Sequence, residues 1–229
     1  MNMVKSILSL VLLACFGPAV LFSSVAQQKK QAVEYVNPFI GASTNVRDAG
    51  AYHGLGKTIP GATYPFGLVQ LSPNTITGGD NGSGYSDEHE SIEGFAFTQM
   101  SGIGWYGDLG NFLVMPTIGP MHTNSGKLEN PDAGYRSRYD KASEYAQAGY
   151  YSVYLSDYRI RTEATVAQRA GMLRLTAGAE IHRQVSSFEG KHLGFFTEFE
   201  TTKDEVVLMK AGISFVSEEN ARENLDRNS

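Results

Sequence analysis

The chain has 229 residues, 41% hydrophobic and 19% charged, which gives room for one large β domain or two small ones and excludes a disordered polypeptide. Formal net charge is −5, with Lys and Arg scattered rather than gathered in a stripe. Nucleic acid and anionic membrane surfaces are therefore not expected partners, and a neutral ligand such as a sugar fits better.

Twelve Tyr, twelve Phe and 25 Gly against one Trp suit strands and turns better than helices. In chain order, residues 1–26 carry Lys5, an apolar run from Ile7 and the small residues Ser24 and Ala26, the layout of a secretory signal peptide cleaved after Ala26. Leu12-Leu13-Ala14-Cys15 also reads as a lipobox with lipid added at Cys15. The size of Leu13 favours simple cleavage and leaves a lipoprotein open. Gly17-Pro18 interrupts the apolar run and weakens a lasting transmembrane anchor. Cleavage removes Lys5 and no acid, moving the charge from −5 to −6, and removes Cys15, the single cysteine. Neither an intramolecular disulfide nor a cysteine metal site is then expected.

Residues 27–34 read as a short polar linker. Tyr35 to Ile40 has a strand-like pattern, and Gly41 to Gly56 a long loop carrying Arg47, Asp48, Tyr52 and His53. Pro60-Gly61 and Pro65-Phe66-Gly67 predict turns around a short strand, Leu68 to Leu71. Thr75 to Ser86 is glycine-rich. Ile92 to Met100 predicts a strand with Phe95 and Phe97 on one face and Ala96 and Thr98 on the other. Ser101 to Gly110 is a second glycine-rich loop before a strand at Phe112 to Met115. Lys141 to Ala146 is a possible helical turn. Tyr150 to Leu155, Arg159 to Ala167, Gly171 to Thr176, His192 to Phe199 and Val206 to Val216 read as antiparallel strands joined by short turns. Ser217 is a helix N-cap with Glu218 and Glu219 in the first turn and Ala221 and Leu225 sharing a face. The spacing predicts an all-β fold, an antiparallel β-sandwich, with the start of a helix at the C-terminus.

Four blocks in one order, NPFIG, PGATYPFGLVQLSP, GFAFTQMSG and GDLGNFLVMPT, resemble the N-terminal β-sandwich (supersandwich-like) domain of the family 92 glycoside hydrolases. The resemblance implies a calcium-dependent, inverting exo-α-mannosidase as the complete enzyme, with α-mannoside glycans as its partners. It also implies that acid, base and calcium ligands come chiefly from a catalytic (α/α)-barrel domain that this chain lacks and that normally lies in cis. On that basis residues 35–216 form the sandwich, shortened near 175–190, and residues 217–229 begin the helical linker. No catalytic or metal-binding residue and no cofactor is expected in the chain alone. Its expected location is exported, periplasmic or associated with an outer membrane.

Trp105 lies in Ser101-Gly102-Ile103-Gly104-Trp105-Tyr106-Gly107-Asp108, where glycines could present an indole face to sugar C–H groups and Asp108 could accept hydroxyl hydrogen bonds. A core tryptophan is equally consistent with the residues, and the resemblance favours the pocket. His53, beside Tyr52, could bond a hydroxyl. Asp87-Glu88-His89-Glu90, with Glu93, invites comparison with the carboxylate pair of inverting hydrolysis, roughly 6.5–9.5 Å apart. A solvated loop is the plainer reading. A metal site from Asp80, Asp87 and His89 lacks any recognised ligand spacing. Alternatives to the pocket-forming domain are a stand-alone carbohydrate-binding, lectin-like envelope protein and a non-functional gene fragment.

Overall fold

The alternating residues of Tyr150–Leu155 and Ile160–Val166 form the centre of a sheet because each strand has an apolar side to hide. In the computed structural model, residues 30–43, 58–76, 83–101, 112–177 and 200–227 are described. The chain divides into Met1–Gln31 and Ala32–Ser229, and the fold below is that of the second unit. The leader, His53, Asp80, Trp105, Asp108, the expected shortening after Ala177 and the expected strand at 192–199 lie outside the described residues.

The strands, in chain order, are β1 (Ala62–Thr63), β2 (Gln70–Asn74), β3 (Ser91–Ile92), β4 (Gly94–Ala96), β5 (Leu113–Val114), β6 (Ser137–Arg138), β7 (Tyr145–Gln147), β8 (Tyr150–Leu155), β9 (Ile160–Val166), β10 (Ala170–Ala177) and β11 (Val206–Gly212). An α-helix, α1 (Glu218–Arg227), follows. A four-stranded sheet runs β1-β2-β4-β5, a five-stranded sheet runs β11-β10-β9-β8-β7, and β3 pairs with β6. All these strand pairs are antiparallel. The two-residue turn between β7 and β8 uses Gly149 at φ +76°, a backbone region that glycine enters without penalty.

The core lies where Val69, Leu71, Phe95 and Phe97 meet Tyr151, Val153, Leu155, Ala164 and Leu173. Fully burying side chains of this kind contributes about 1.5–3 kcal/mol each. Phe97 also meets Phe112 edge-on, with ring centroids 5.2 Å apart.

Three local expectations change. Tyr35 to Ile40 is not a strand: Ala32–Tyr35 is a 3₁₀ turn, and Asn37 Oδ1 accepts from the Phe39 N–H at 3.0 Å, closing a side-chain turn around Pro38 that competes with extended pairing. Ile92 to Met100 breaks into β3 and β4, and Phe95, Ala96 and Phe97 are all buried, so both faces are covered. The turn at 141 is 3₁₀ over Lys141–Ser143, capped by Asp140 Oδ1 accepting from Ala142 N–H, and gives way to β7. At the C-terminus Ser217 is the expected cap, its Oγ accepting from Asn220 N–H at 3.2 Å.

Candidate functional site

The ends of chain segments 44–57 and 77–82, and the start of 102–111, are held by backbone and side-chain hydrogen bonds. Thr58 closes the first segment, its N–H donating to Gly41 O at 3.3 Å and its hydroxyl to Ile40 O at 2.7 Å. Thr75 closes the second, its N–H donating to Gly84 O at 2.8 Å. Ser101, where the third begins, donates its N–H to Gln70 Oε1 at 3.1 Å.

Beneath these ends runs a buried hydrogen-bonded chain. Gln99 Nε2 donates to Asn74 Oδ1 at 2.9 Å and to Pro73 O at 3.0 Å, and Asn74 Nδ2 donates to Glu93 Oε1 at 2.8 Å. Glu93 Oε2 receives Arg136 at 2.7 Å, with side chains 5% and 3% exposed, so both charges have left water together. The same guanidinium donates to Ser91 Oγ and to Thr75 O, each at 3.0 Å. This multiplicity offsets much of the cost of burying the pair, although Arg136 Nε is itself buried without a hydrogen-bond partner.

A second group joins the first at Thr75. Its Oγ1 accepts from Ser86 N–H at 3.0 Å and lies 2.8 Å from His89 Nδ1. One proton bridges the hydroxyl and Nδ1, donated by the threonine when the ring proton sits on Nε2 and by the ring when it sits on Nδ1. Burial, followed by the Arg136 charge, lowers the His89 pKa below its ordinary value. Glu88 accepts from Ser86 Oγ at 2.7 Å and from the Ser43 hydroxyl, tying the start of 44–57 to the same group.

Lys141 organises a third group. Its Nζ is 2.8 Å from Asp87 Oδ1 and 2.7 Å from Glu144 Oε2, and Phe39, Tyr85 and Tyr139 surround it at 5.4–6.0 Å from the ring centroids. Burial alone would lower the Lys141 pKa, but the hydrogen bonds it donates to Asp87 and Glu144 raise it above the lysine range. Tyr85 and Tyr151 donate to Glu144 Oε1 at 2.9 and 2.7 Å. Burial, reinforced by Glu144, raises both phenols well above their ordinary value and pushes Tyr139 up to about 12.

The expected Asp87–Glu90 cluster with Glu93 is thus dispersed among three anchoring tasks: Glu93 faces Arg136, Asp87 faces Lys141, and Glu88 is taken by two serines. These contacts support a frame and do not arrange two carboxylates across a water. Sequence reasoning did not find Asn74, Gln99, Arg136, Lys141 or Glu144. Arg136 and Glu93 are 43 residues apart, and no local spacing marks their meeting. The available signal was the placement of amides and acids at the ends of short apolar runs.

An antiparallel sandwich whose chain-segment ends converge on a buried polar frame defines a scaffold domain. Residues 35–186 match the Glycosyl hydrolase family 92 N-terminal domain. The chain belongs to that family. It is similar to the family GH92 α-mannosidase BT3965 from Bacteroides thetaiotaomicron, at 28% identity and a TM-score of 0.71, covering 87% of this chain and 35% of that one. That enzyme is also known in complex with mannoimidazole, matched at the same identity and TM-score. An uncharacterized secreted glycosidase of Arthroderma benhamiae is 27% identical over 155 residues, 67% of this chain and 18% of the relative. The chain thus spans about a third of the solved mannosidase and less than a fifth of the curated relative.

Calcium, implied by the family, does not fit the described residues. No three His, Cys, Asp or Glu side chains among them converge on one point, and Asp87, Glu93 and Glu144 already face fixed cations. Among the described residues no helix is long and apolar enough to cross a membrane.

Proposed function

We propose that this chain is the substrate-pocket-forming N-terminal domain of an exported, α-mannosidase-like glycoside hydrolase that degrades terminal α-mannosides. The observation that carries the reading is the 0.71 TM-score at 28% identity with a GH92 α-mannosidase. The secreted description of the fungal relative supports export, as does the leader-like stretch of residues 1–26.

In this reading the buried frame holds still the ends of the segments that carry His53, Trp105 and Asp108. Trp105 offers its ring to the apolar face of a mannose, while Asp108 and His53 take hydroxyls. Preorganisation of this kind reduces the ordering lost on binding. In a complete enzyme an acid would protonate the departing oxygen and a carboxylate would activate water, both supplied from outside this domain. Calcium would belong to the same complement.

The full chain incubated with α-1,2-mannobiose and calcium is expected to release no mannose, while titration with mannose or mannoimidazole shifts Trp105 fluorescence. Trp105→Ala should abolish that ligand-dependent signal, and Asp108→Ala should weaken binding about tenfold, the worth of a hydroxyl hydrogen bond to a charged acceptor. Turnover that persists through repurification would overturn the reading, and so would Trp105 fluorescence indifferent to either ligand.

A further inference from the structure

Phe66 occupies a place that the packing of the domain does not account for. Gly67 N–H donates to Tyr64 O at 2.8 Å, closing a turn whose second residue is Pro65 and whose third is Phe66 at φ +57°. Glycine or asparagine normally fills that third position, because a bulky residue is strained in the left-handed region. The Phe66 side chain is also fully exposed. It is held in an unfavourable conformation and in water, and no burial within the chain offsets either.

The turn stands beside the stretch that leads into α1. Leu68 N–H donates to Gln168 O at 2.7 Å, and Ile213 N–H donates to Arg169 O at 3.2 Å. The β9–β10 turn is thus hydrogen-bonded both to residues 64–68 and to the chain entering α1, at one end of the five-stranded sheet. In these two stretches Tyr64, Leu68, Phe215 and Val216 are exposed along with Phe66. From Thr58 to Ile76 the sequence carries no charge, and the charged residues of 167–169 and 213–219 are Arg169, Glu218 and Glu219. An aromatic and aliphatic patch with few charges has the composition of a surface that another protein covers.

We propose that this end of the sandwich seats the catalytic portion of the longer glycosidase, with Phe66 inserted into an apolar pocket of that portion. The chain spans about a third of the solved mannosidase, and the family model that it matches is an N-terminal domain. The remainder therefore follows on the α1 side, next to the exposed patch. A projecting ring suits a concave partner, whereas a second copy of this chain would have to meet the tip with the same tip. An anionic membrane suits it poorly, because Glu218 and Glu219 open the neighbouring helix. The proposal rests on the reading that acid and base come from outside this domain.

The test mixes the full chain with BT3965 from which the matching part has been removed, and reads a one-to-one complex by analytical ultracentrifugation without sugar. Phe66→Gly is expected to weaken that complex about ten- to hundredfold, the worth of burying a phenylalanine. The same variant should unfold thermally no earlier than the parent, since it relieves the backbone and removes no buried contact. Met121→Ser should leave the complex intact: Met121 is exposed but lies between Pro120 and His122, which line a cavity with Asp157 in the β8–β9 turn at the opposite end. No complex, a complex indifferent to Phe66→Gly, or earlier unfolding of that variant would overturn the proposal. Phe66-dependent self-association, or Phe66-dependent binding to phosphatidylserine vesicles, in place of the complex would overturn it too. Because no sugar is present, failure of the pocket reading shows separately, as Trp105 fluorescence that ignores mannoimidazole.

Discussion

Arg136→Leu would leave Glu93 in the interior without its counter-charge. Removing one member of such a pair costs about 3–5 kcal/mol, so the variant is expected to unfold at markedly lower urea, with an unchanged slope against denaturant. Replacing Glu93 and Arg136 together by apolar residues should restore much of that loss. Urea titrations of the two single variants and the double variant measure this, and additive losses would show that the pair is not coupled. His89 acts in the other direction of design, since it is held neutral. Its folded pKa is lowered, so its contribution is fully present above about pH 6.5, the unfolded value. That contribution is lost as pH falls further, through the folded pKa. Stability measured from pH 7 downward should therefore decline, and His89→Asn should flatten the decline. A variant with the same slope as the parent would sink the assignment.

At the scale of elements, α1 depends on one close approach. A Cβ at Gly212 would stand 2.3 Å from Ala221 O and 2.9 Å from Leu225 Cβ, which places the helix directly against β11. Asn224 Nδ2 reaches across to Ile213 O at 2.8 Å and fixes the register. Ten residues are too few for a helix to persist in water by propensity alone. Gly212→Ala is therefore expected to cost about 1–3 kcal/mol through overpacking and to strip hydrogen-exchange protection from the amides of α1. Unchanged protection would mean that packing on β11 does not hold the helix. The Ser217 cap and the strands from Tyr150 to Thr176 were legible in the sequence because capping and two-residue alternation are local. The Tyr35–Ile40 turn was misread for a related reason. Aromatic and β-branched residues there suggested a strand, but the Asn37 side chain and Pro38 outcompeted it.

For the whole molecule, the antiparallel sandwich and the family followed from glycine- and proline-punctuated blocks that impose turns on any chain carrying them. The supporting frame did not, because Asn74, Glu93, Gln99, Arg136 and Glu144 come from distant segments and meet only once the strands are in register. Ordinary polar residues became interior ones through that meeting. The proposed site residue His53 lies in a segment whose two ends are well fastened, and this arrangement has a consequence for how such a domain can diversify. With Thr58 clasped to Ile40 and Gly41 on the far side of residues 44–57, lengthening that stretch leaves both clasps untouched. Doubling its length would cost only about 0.6 kcal/mol in closure entropy. Descendants of this sequence can therefore lengthen, shorten or rewrite that insert wholesale, trialling new specificities, while the chassis beneath them is inherited unaltered.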